Sequence, residues 1–300
     1  MKIALHSVSY SGTWGGQEFL PLEAFVDKAA KLGYDAIELA AKRPHASPLD
    51  LDARARETLR VRIEDAGLSV CCLASYHDYT HGYEHPDMAH AQKEVLYLRE
   101  VIALSADLGA PIVRTYTGYL YPQPSYREQW QTVVSCLREG ADFAAEAGVI
   151  LAVQNHSTLA CHHLTLLDLL AEVDHPQLRV VFDAPTLVEQ KEDLRQAVLA
   201  MGDLIVHSHL SDFADRPHFT YDPGNVRYLP EQPLHPAVPI GQGVTDYETF
   251  VRALAEVGYQ GALSYEMCSP LVGGGSMENL DRCARESLAY LRELVAKLDA

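Results

Sequence analysis

The feature that most constrains the fold of this chain is a recurring unit in which a helical stretch ends on glycine and a short apolar run follows. Five of these junctions read KLGYDAIEL, DAGLSVCCL, DLGAPIVRT, EAGVILAVQ and EVGYQGALSYE, with the helix-ending residues Gly33, Gly67, Gly109, Gly148 and Gly258. Glycine adopts the left-handed backbone conformation that ends a helix at little cost. Each junction therefore predicts a helix followed by a strand.

Eight apolar runs have the length of strands. They are Lys2 to Ser7, Ala36 to Ala40, Ser69 to Ala74, Pro111 to Tyr116, Ile150 to Gln154, Arg179 to Phe182, Leu204 to His209 and Ala262 to Glu266. Strands that are apolar on both faces must be covered by each other and by helices. We therefore expect a closed α/β barrel of the (β/α)8 or TIM type, as a single domain over residues 1–300. An open doubly wound sheet is the alternative, although no GxGxxG or P-loop motif follows any strand.

The charge balance and the cysteines restrict the partners and the compartment. Lys and Arg total 24 against 41 Asp and Glu, for a net charge of −17, which disfavours nucleic acid and anionic membranes as partners. Six cysteines without CxxC spacing are typical of a reducing compartment. The chain shows no signal-like segment at its start and no apolar run of membrane-spanning length. These observations favour a cytoplasmic protein.

Polar side chains stand at the carboxyl ends of four consecutive predicted strands. They are Gln154, Asn155 and His156 on the fifth, Asp183 on the sixth, His207 and His209 on the seventh, and Glu266 on the eighth. In a barrel these ends converge on the face where catalysis occurs. Each residue alone has an ordinary explanation, such as a helix cap for Asp183 or a hydrogen-bonded core histidine for His207. Their joint occurrence favours a site for one divalent ion, Mn²⁺, Mg²⁺, Co²⁺ or Zn²⁺.

Three segments resemble the xylose isomerase-like TIM barrels, a family of sugar isomerases, epimerases and related lyases. They are VHSHLSD at the seventh strand, IGQG with Asp246 after it, and GYQGALSYE at the eighth strand. The resemblance covers almost the whole chain. It implies that Gln154, Asp183, His209 and Glu266 are the metal ligands, and that the enzyme removes a proton next to a sugar carbonyl.

Two positions depart from the family pattern. Gln154 stands where sugar epimerases usually carry a glutamate that is both ligand and base, and Thr186 stands where many members have a histidine. A carboxamide can bind a metal through its oxygen but cannot take up a proton at neutral pH. The remaining candidates for the catalytic base are Glu266 and His156. One base is enough for elimination or isomerisation, so we rank a lyase or isomerase above an epimerase.

Other strand-end and loop residues are candidates for substrate contacts. They are Arg114, Tyr116, Asn155, His207, Arg216 and Trp14, with His6 and Glu38 on the opposite wall. Two long connections, Tyr76 to Met88 and Phe213 to Gly243, are expected as loops beside the barrel mouth. A strand-end polar residue often only satisfies a neighbouring loop, and we expect about a third of these candidates to do so.

The leading functional hypothesis is a metal-dependent isomerase, epimerase or lyase of carbohydrate metabolism that acts on a sugar, keto-sugar or polyol, with manganese among the candidate ions. The alternative is a catalytically silent barrel that binds a sugar or forms a subunit. The apurinic endonuclease branch of the family is disfavoured by the acidic charge. His162 and His163 are expected to be a solvated pair. Barrels of this kind often associate, so a homo-oligomer is a further expectation.

Overall fold

Eight parallel strands form a closed barrel in the computed structural model, which describes residues 1–82 and 89–298. The barrel strands are β1 (Lys2–His6), β2 (Ala36–Ala40), β3 (Val70–Ala74), β4 (Ile112–Thr115), β5 (Ile150–Gln154), β6 (Leu178–Asp183), β7 (Ile205–Leu210) and β12 (Ala262–Tyr265). Each strand pairs with the next along the chain, and β12 pairs with β1 to close the circle. The predicted TIM barrel is confirmed, with every strand end within one residue of its expected position, and the open sheet is excluded.

Nine α-helices lie between or after these strands in the described ranges. They are α1 (Leu22–Leu32), α2 (Ala53–Asp65), α3 (His90–Asp107), α4 (Tyr126–Ala147), α5 (His163–Val173), α6 (Ala184–Glu189), α7 (Leu194–Met201), α8 (Tyr247–Glu256) and α9 (Met277–Leu298). The five predicted helix-ending glycines all have positive φ, between 69° and 91°. Across residues 1–82 and 89–298, no helix combines the length and apolar character needed to cross a bilayer.

The helix α6 was not expected from the sequence. It begins directly after β6, where the side chain of Asp183 accepts a hydrogen bond from the backbone N–H of Thr186 and Pro185 occupies the first turn. The next helix, α7, begins at Leu194, because Lys191 has a φ of 59° and Asp193 caps α7. The sixth strand is thus followed by two short helices.

The alternation of side chains along the strands builds the barrel interior in layers. Small or apolar inward-facing side chains form clusters apart from the main core: Cys72, Ile112, Ala152 and Val181 in one, and Ala4, Ala36 and Ala262 in the other. Two residues further along the same strands stand His6, Glu38, Arg114, Gln154 and Asp183. Because a strand repeats every two residues, these polar side chains also point inward, one layer nearer the carboxyl ends. The barrel interior therefore has a polar layer near the carboxyl ends of the strands and an apolar layer below it.

The connection Phe213 to Gly243 is not a simple loop, which corrects the expectation. It contains two short strands, β8 (Asp212–Phe213) and β11 (Ala237–Val238), that pair with each other next to the barrel. Between them β9 (Arg216–Asp222) and β10 (Arg227–Leu234) form an exposed antiparallel hairpin, residues 216–234, called the arm below. The other long connection, Tyr76 to Met88, lies partly outside the described residues, which end at 82 and resume at 89.

Candidate active site

A cavity of about 290 Å³ opens at the carboxyl ends of the barrel strands. Five residues predicted from the sequence line it: Trp14, Tyr116, His156, Asp183 and Glu266. The cavity is also lined by Lys42, Tyr76, Thr186, Glu189 and Cys268, which were not proposed as functional residues. Its position matches the catalytic face of a parallel barrel.

Gln154 and Asp183 form the first pair of polar side chains at this cavity. The Nε2 of Gln154 donates a hydrogen bond to Oδ2 of Asp183 over 2.7 Å. The Oε1 of Gln154 is buried and has no hydrogen-bond partner among the described residues. Burial raises the pKa of Asp183 to about 6, although the bond from Gln154 acts in the opposite direction. The pair therefore holds one unsatisfied acceptor and one carboxylate.

His209 and Glu266 form the second pair. The Nδ1 of His209 lies 3.8 Å from Oε2 of Glu266 and has no hydrogen-bond partner within residues 1–82 and 89–298, whereas its Nε2 contacts Oε1 of Glu38 at 2.6 Å. An ionised Glu38 can only accept hydrogen bonds, so Nε2 carries the proton and the lone pair of Nδ1 faces Glu266. Burial lowers the pKa of His209 to about 4, which keeps the ring neutral at pH 7. This tautomer suits a metal ligand.

One carboxylate of each pair lines the cavity, whereas Gln154 and His209 are buried behind it and are not among the lining residues. Asp183 and Glu266 both line it, and Asp183 pairs with His209 in the register of β6 and β7. Burial raises the pKa of Glu266 to about 8, and the negative charge of Asp183 adds to this effect. Two buried carboxylates, of which Asp183 disfavours the charge of Glu266, lie beside two lone-pair donors that have no partner in the described part of the chain, and a cation would stabilise such a site.

Glu38 lies beneath the cavity and connects the buried histidines. Its carboxylate contacts Nε2 of His207 at 2.9 Å and Nε2 of His209 at 2.6 Å, and His6 lies 3.8 Å away. These histidines hold the pKa of Glu38 well below its usual range, against the opposing effect of burial. The donor atoms of His6, Glu38 and His209 also lie within 4.8 Å of one another, as a metal site requires.

Arg114 is a fully buried cation beside the cavity. Its guanidinium lies 4.4 Å from the ring centre of Tyr76 and 4.1 Å from that of Tyr116. Its three nitrogen atoms have no hydrogen-bond partner among the residues that the structure describes. Contact with two aromatic faces compensates part of the lost hydration. The unused donors indicate that an acceptor from outside the chain is expected here.

His156 and Trp14 lie on the cavity wall. The imidazole of His156 stacks on Tyr116 with the ring centres 4.7 Å apart. Burial lowers the pKa of His156 to about 4, and the charge of Arg114 adds to the effect. A neutral imidazole with so low a pKa is a weak base at pH 7, so its candidacy as the proton acceptor is weakened. The indole Nε1 of Trp14 is buried and meets no hydrogen-bond partner in the described part of the chain.

Four predicted substrate contacts are absent from the cavity lining: the buried Arg114 described above and three further residues. His207 is wholly buried against Glu38, one layer deeper. Both ends of the Asn155 amide bond to the backbone of Asp183. Its Nδ2 donates to the carbonyl oxygen of Asp183, and its Oδ1 accepts from the N–H of Asp183. Arg216 is exposed at the start of the arm. These three residues were proposed because they follow or end a strand. In the structure His207 and Asn155 bond to Glu38 and Asp183, and Arg216 is exposed.

Lys42 and Tyr76 are the cavity residues that the sequence could have revealed. Lys42 follows β2 by two residues, Tyr76 follows β3 by two, and the Lys42 ammonium lies 3.8 Å above the Tyr76 ring. Burial and the nearby charge of Arg114 lower the pKa of Lys42. The rule that strand ends carry function, applied to the second and third strands as well, would have found both.

Fold and site together define a TIM-barrel protein with a polar cavity at the catalytic end of its strands. The family model of the xylose isomerase-like TIM barrel matches residues 26–294, and the chain belongs to that family.

Known proteins similar to this chain are sugar epimerases and a dehydratase. It is 26% identical to fructoselysine 3-epimerase of Escherichia coli O157:H7 over 268 residues, covering 84% of this chain and 87% of the relative. It is 20% identical to 3-dehydroshikimate dehydratase of Bacillus anthracis over 268 residues, covering 88% and 91%. The structure of D-psicose 3-epimerase with D-tagatose from Clostridium cellulolyticum H10 superimposes with a TM-score of 0.75 at 18% identity, covering 98% and 99%, and shares the fold.

These relatives confirm the predicted class, an enzyme of the sugar isomerase, epimerase or dehydratase type. They are enzymes, so the alternative of a catalytically silent barrel finds no support. The described residues also contain groups of side chains that could hold a metal ion.

Proposed function

We propose that this protein is a divalent-metal-dependent lyase or isomerase of carbohydrate metabolism that removes a proton next to the carbonyl of a sugar-derived substrate. The observation that carries the proposal is the set of two unpaired lone-pair donors, Gln154 Oε1 and His209 Nδ1, beside the carboxylates of Asp183 and Glu266. The family relationship and the activities of the relatives support it.

The proposed ligands are Gln154, Asp183, His209 and Glu266, with Mn²⁺, Mg²⁺, Co²⁺ or Zn²⁺ as the candidate ions. Their mixture of oxygen donors and one imidazole suits these ions. We assign Glu38 to orienting His209 and not to ligation, because it already accepts hydrogen bonds from two histidines. When bound, the ion supplies a Lewis acid that polarises the substrate carbonyl.

Glu266 is the proposed base. It lies in the cavity wall with a buried carboxylate, whereas Gln154 cannot accept a proton and His156 is a weak base. One base that serves one face of the substrate is enough for elimination of water or for isomerisation. Direct epimerisation needs a second base on the opposite face. This difference favours a dehydratase or isomerase over a 3-epimerase.

The substrate contacts proposed for the cavity are those of Trp14, Tyr116, His156, Lys42 and Arg114. The last two place two positive charges beside the cavity, which favours a substrate with a carboxylate, such as an oxidised sugar or keto-acid, over a neutral polyol. The relatives named above include one whose name denotes an acid, 3-dehydroshikimate dehydratase. An acidic carbohydrate or polyol derivative is therefore the proposed substrate class.

The cytoplasm is the proposed compartment. All six cysteines are free thiols, as expected for a reducing environment. A homo-oligomer remains a prediction.

The metal proposal is tested by elemental analysis of protein purified without chelator. We expect Mn, Co, Mg or Zn at near-stoichiometric level and the loss of one equivalent in Asp183→Ala and His209→Ala. The matched control is His235→Ala, which removes an exposed imidazole outside the cavity and should retain the full content. Unchanged metal content in both cavity variants would overturn the assignment of ligands.

The reaction is tested in heavy water with a panel of keto-sugars, keto-acids and keto-inositols, followed by NMR. We expect solvent deuterium to enter one substrate next to its carbonyl, or water to be eliminated, and both to fall by at least about 10²-fold in Glu266→Gln. Gln154→Glu is expected to add an epimerised product, because it restores a second base. If the metal-loaded enzyme exchanges no panel member, or if Glu266→Gln retains full exchange, the proposed chemistry is wrong.

A further inference from the structure

His162 and His163 do not form the solvated pair expected from the sequence. They stand at the start of α5 and meet the side chain of Glu192, which lies in the short connection between α6 and α7. The Nδ1 of His163 contacts Oε2 of Glu192, and the Nε2 of His162 lies 3.6 Å from the same oxygen. The two imidazoles stack with their ring centres 4.9 Å apart. A two-histidine, one-carboxylate cluster therefore stands outside the cavity lining.

The burial of Glu192 makes this cluster different from a surface ion pair. Its side chain is 2% exposed, against 15% for His163 and 42% for His162. Its second oxygen, Oε1, is buried and has no hydrogen-bond partner among the described residues. A buried carboxylate oxygen without a donor is costly and indicates a missing partner.

The geometry of the cluster matches what a transition-metal ion requires. One donor atom from each of the three residues lies within 4.8 Å of the other two, so small side-chain rotations would bring all three within the bond lengths of about 2 Å that such an ion makes. The exposed side of His162 leaves room for water to complete the coordination. Two imidazoles and a carboxylate suit Zn²⁺, Co²⁺ or Ni²⁺ better than Mg²⁺ or Ca²⁺.

We propose that His162, His163 and Glu192 form a second metal site that binds Zn²⁺ or a similar ion independently of the catalytic cavity. An ion bound through Nδ1 of His163 would replace the contact between this atom and Oε2 of Glu192, and the proton of a neutral His163 ring would then lie on Nε2. Ligation by Nε2 of His162 moves the ring proton to Nδ1, which ends the 3.2 Å bond that Nδ1 accepts from the N–H of Leu164. This loss limits the affinity, and we expect a Kd in the range of about 1–100 μM.

The site would connect two segments that frame the cavity. His162 ends the connection that follows β5 and contains His156. Glu192 follows α6, whose residues Thr186 and Glu189 line the cavity. An ion that binds the folded state alone stabilises it by mass action. Bound Zn²⁺ is therefore expected to raise the unfolding temperature and to hold this part of the rim together.

The test uses Zn²⁺ and the full-length double variant Asp183→Ala/His209→Ala, in which two of the four proposed catalytic ligands are removed. We expect one equivalent of Zn²⁺ by titration calorimetry, and visible absorption when Co²⁺ is used instead. Adding His163→Ala or Glu192→Gln should weaken binding by at least about tenfold. His175→Ala is the matched control, since it removes another imidazole that lies 3.3 Å from a carboxylate, that of Asp142.

His162→Ala provides a second variant that keeps the His163–Glu192 contact, so it remains informative if the other variants are poorly folded. It should also weaken Zn²⁺ binding, with an unchanged circular dichroism spectrum. Absence of Zn²⁺ binding to the double variant, or binding that His162→Ala and His163→Ala leave unchanged, would overturn the proposal. Neither result depends on enzymatic activity, so the proposed reaction is judged separately.

Discussion

At the scale of single residues, two neighbouring amides show why residue type alone does not define a role. Gln154 points into the barrel and leaves its carbonyl oxygen unpaired, whereas Asn155 uses both ends of its amide on the backbone of Asp183. The sequence shows only that both follow the same strand. Asp183, the hydrogen-bond partner of Asn155, lies 28 residues further along the chain. Asn155 therefore positions Asp183 and is not available to a substrate.

Asn155→Ala should destabilise the fold. The variant leaves the buried N–H of Asp183 without its acceptor, which costs roughly 1–3 kcal/mol of unfolding free energy. Urea denaturation of the wild type and the variant measures the difference. Asn225→Ala, in the exposed turn of the arm, is the matched control and should change stability by less than about 0.5 kcal/mol. Equal effects of the two substitutions would contradict the positioning role of Asn155.

At the scale of elements, the arm is attached to the barrel by its base. Asp215 and His235, which flank it, are joined by a 2.8 Å contact, and the N–H of Ala214 donates to the carbonyl of Pro236. At its tip the carboxylate of Asp222 accepts from the N–H groups of Gly224 and Asn225, which forms a side-chain-closed turn. No residue of the arm is among those that line the cavity. The arm is thus a local unit of structure.

Replacing residues 216–234 by a linker of about two or three Gly and Ser residues should leave the barrel folded. The two ends are already adjacent, so we expect the free energy of unfolding to change by less than about 1 kcal/mol. Thermal and urea unfolding measure this change. Phe219→Ser, an exposed substitution within the arm, serves as the control for altered surface chemistry. Loss of cooperative unfolding in the shortened chain would show that the arm is part of the core.

At the scale of the whole molecule, buried histidines make the fold sensitive to acid. Burial lowers the pKa of His6, His45, His77, His156 and His209. The unfolded chain binds protons at histidines with pKa near 6.5, whereas the folded chain keeps these rings neutral to lower pH. Unfolding therefore takes up protons below about pH 6.5, and stability decreases as the pH falls through that range.

His45 allows this linkage to be measured away from the proposed metal ligands. Its Nε2 lies 3.0 Å from the carbonyl oxygen of Leu20, its ring stacks on Phe25, and burial lowers its pKa against the effect of the Leu20 bond. His45→Gln should be less stable than the wild type near pH 7.5, and the difference should shrink towards pH 5. Urea denaturation at both pH values measures it, with the exposed His218→Gln as control. A difference that stays constant or grows on acidification would contradict the prediction.

Much of the barrel follows from local chemistry and was therefore accessible from the sequence. Glycine ends a helix where it stands, and the two-residue repeat of a strand decides which side chains face inward. These rules located every barrel strand and predicted that Gln154, Asp183, His209 and Glu266 lie on one end of it. They also placed Trp14, Tyr116 and His156 in the region where the cavity is found.

Only the closed barrel decided which partner each of these side chains meets. His207 and His209 look equivalent along their strand. Glu38, on the non-adjacent strand β2, contacts the Nε2 of both, and the Nδ1 of His209 lies 3.8 Å from Glu266. Likewise, Glu192 contacts His163 although the two residues are 29 positions apart in the sequence. The direction of a side chain depends on its own strand, but its partner depends on how distant strands and helices pack. For that reason the sequence determined the barrel and its inward-facing residues, and the tertiary structure decided their contacts, protonation and function.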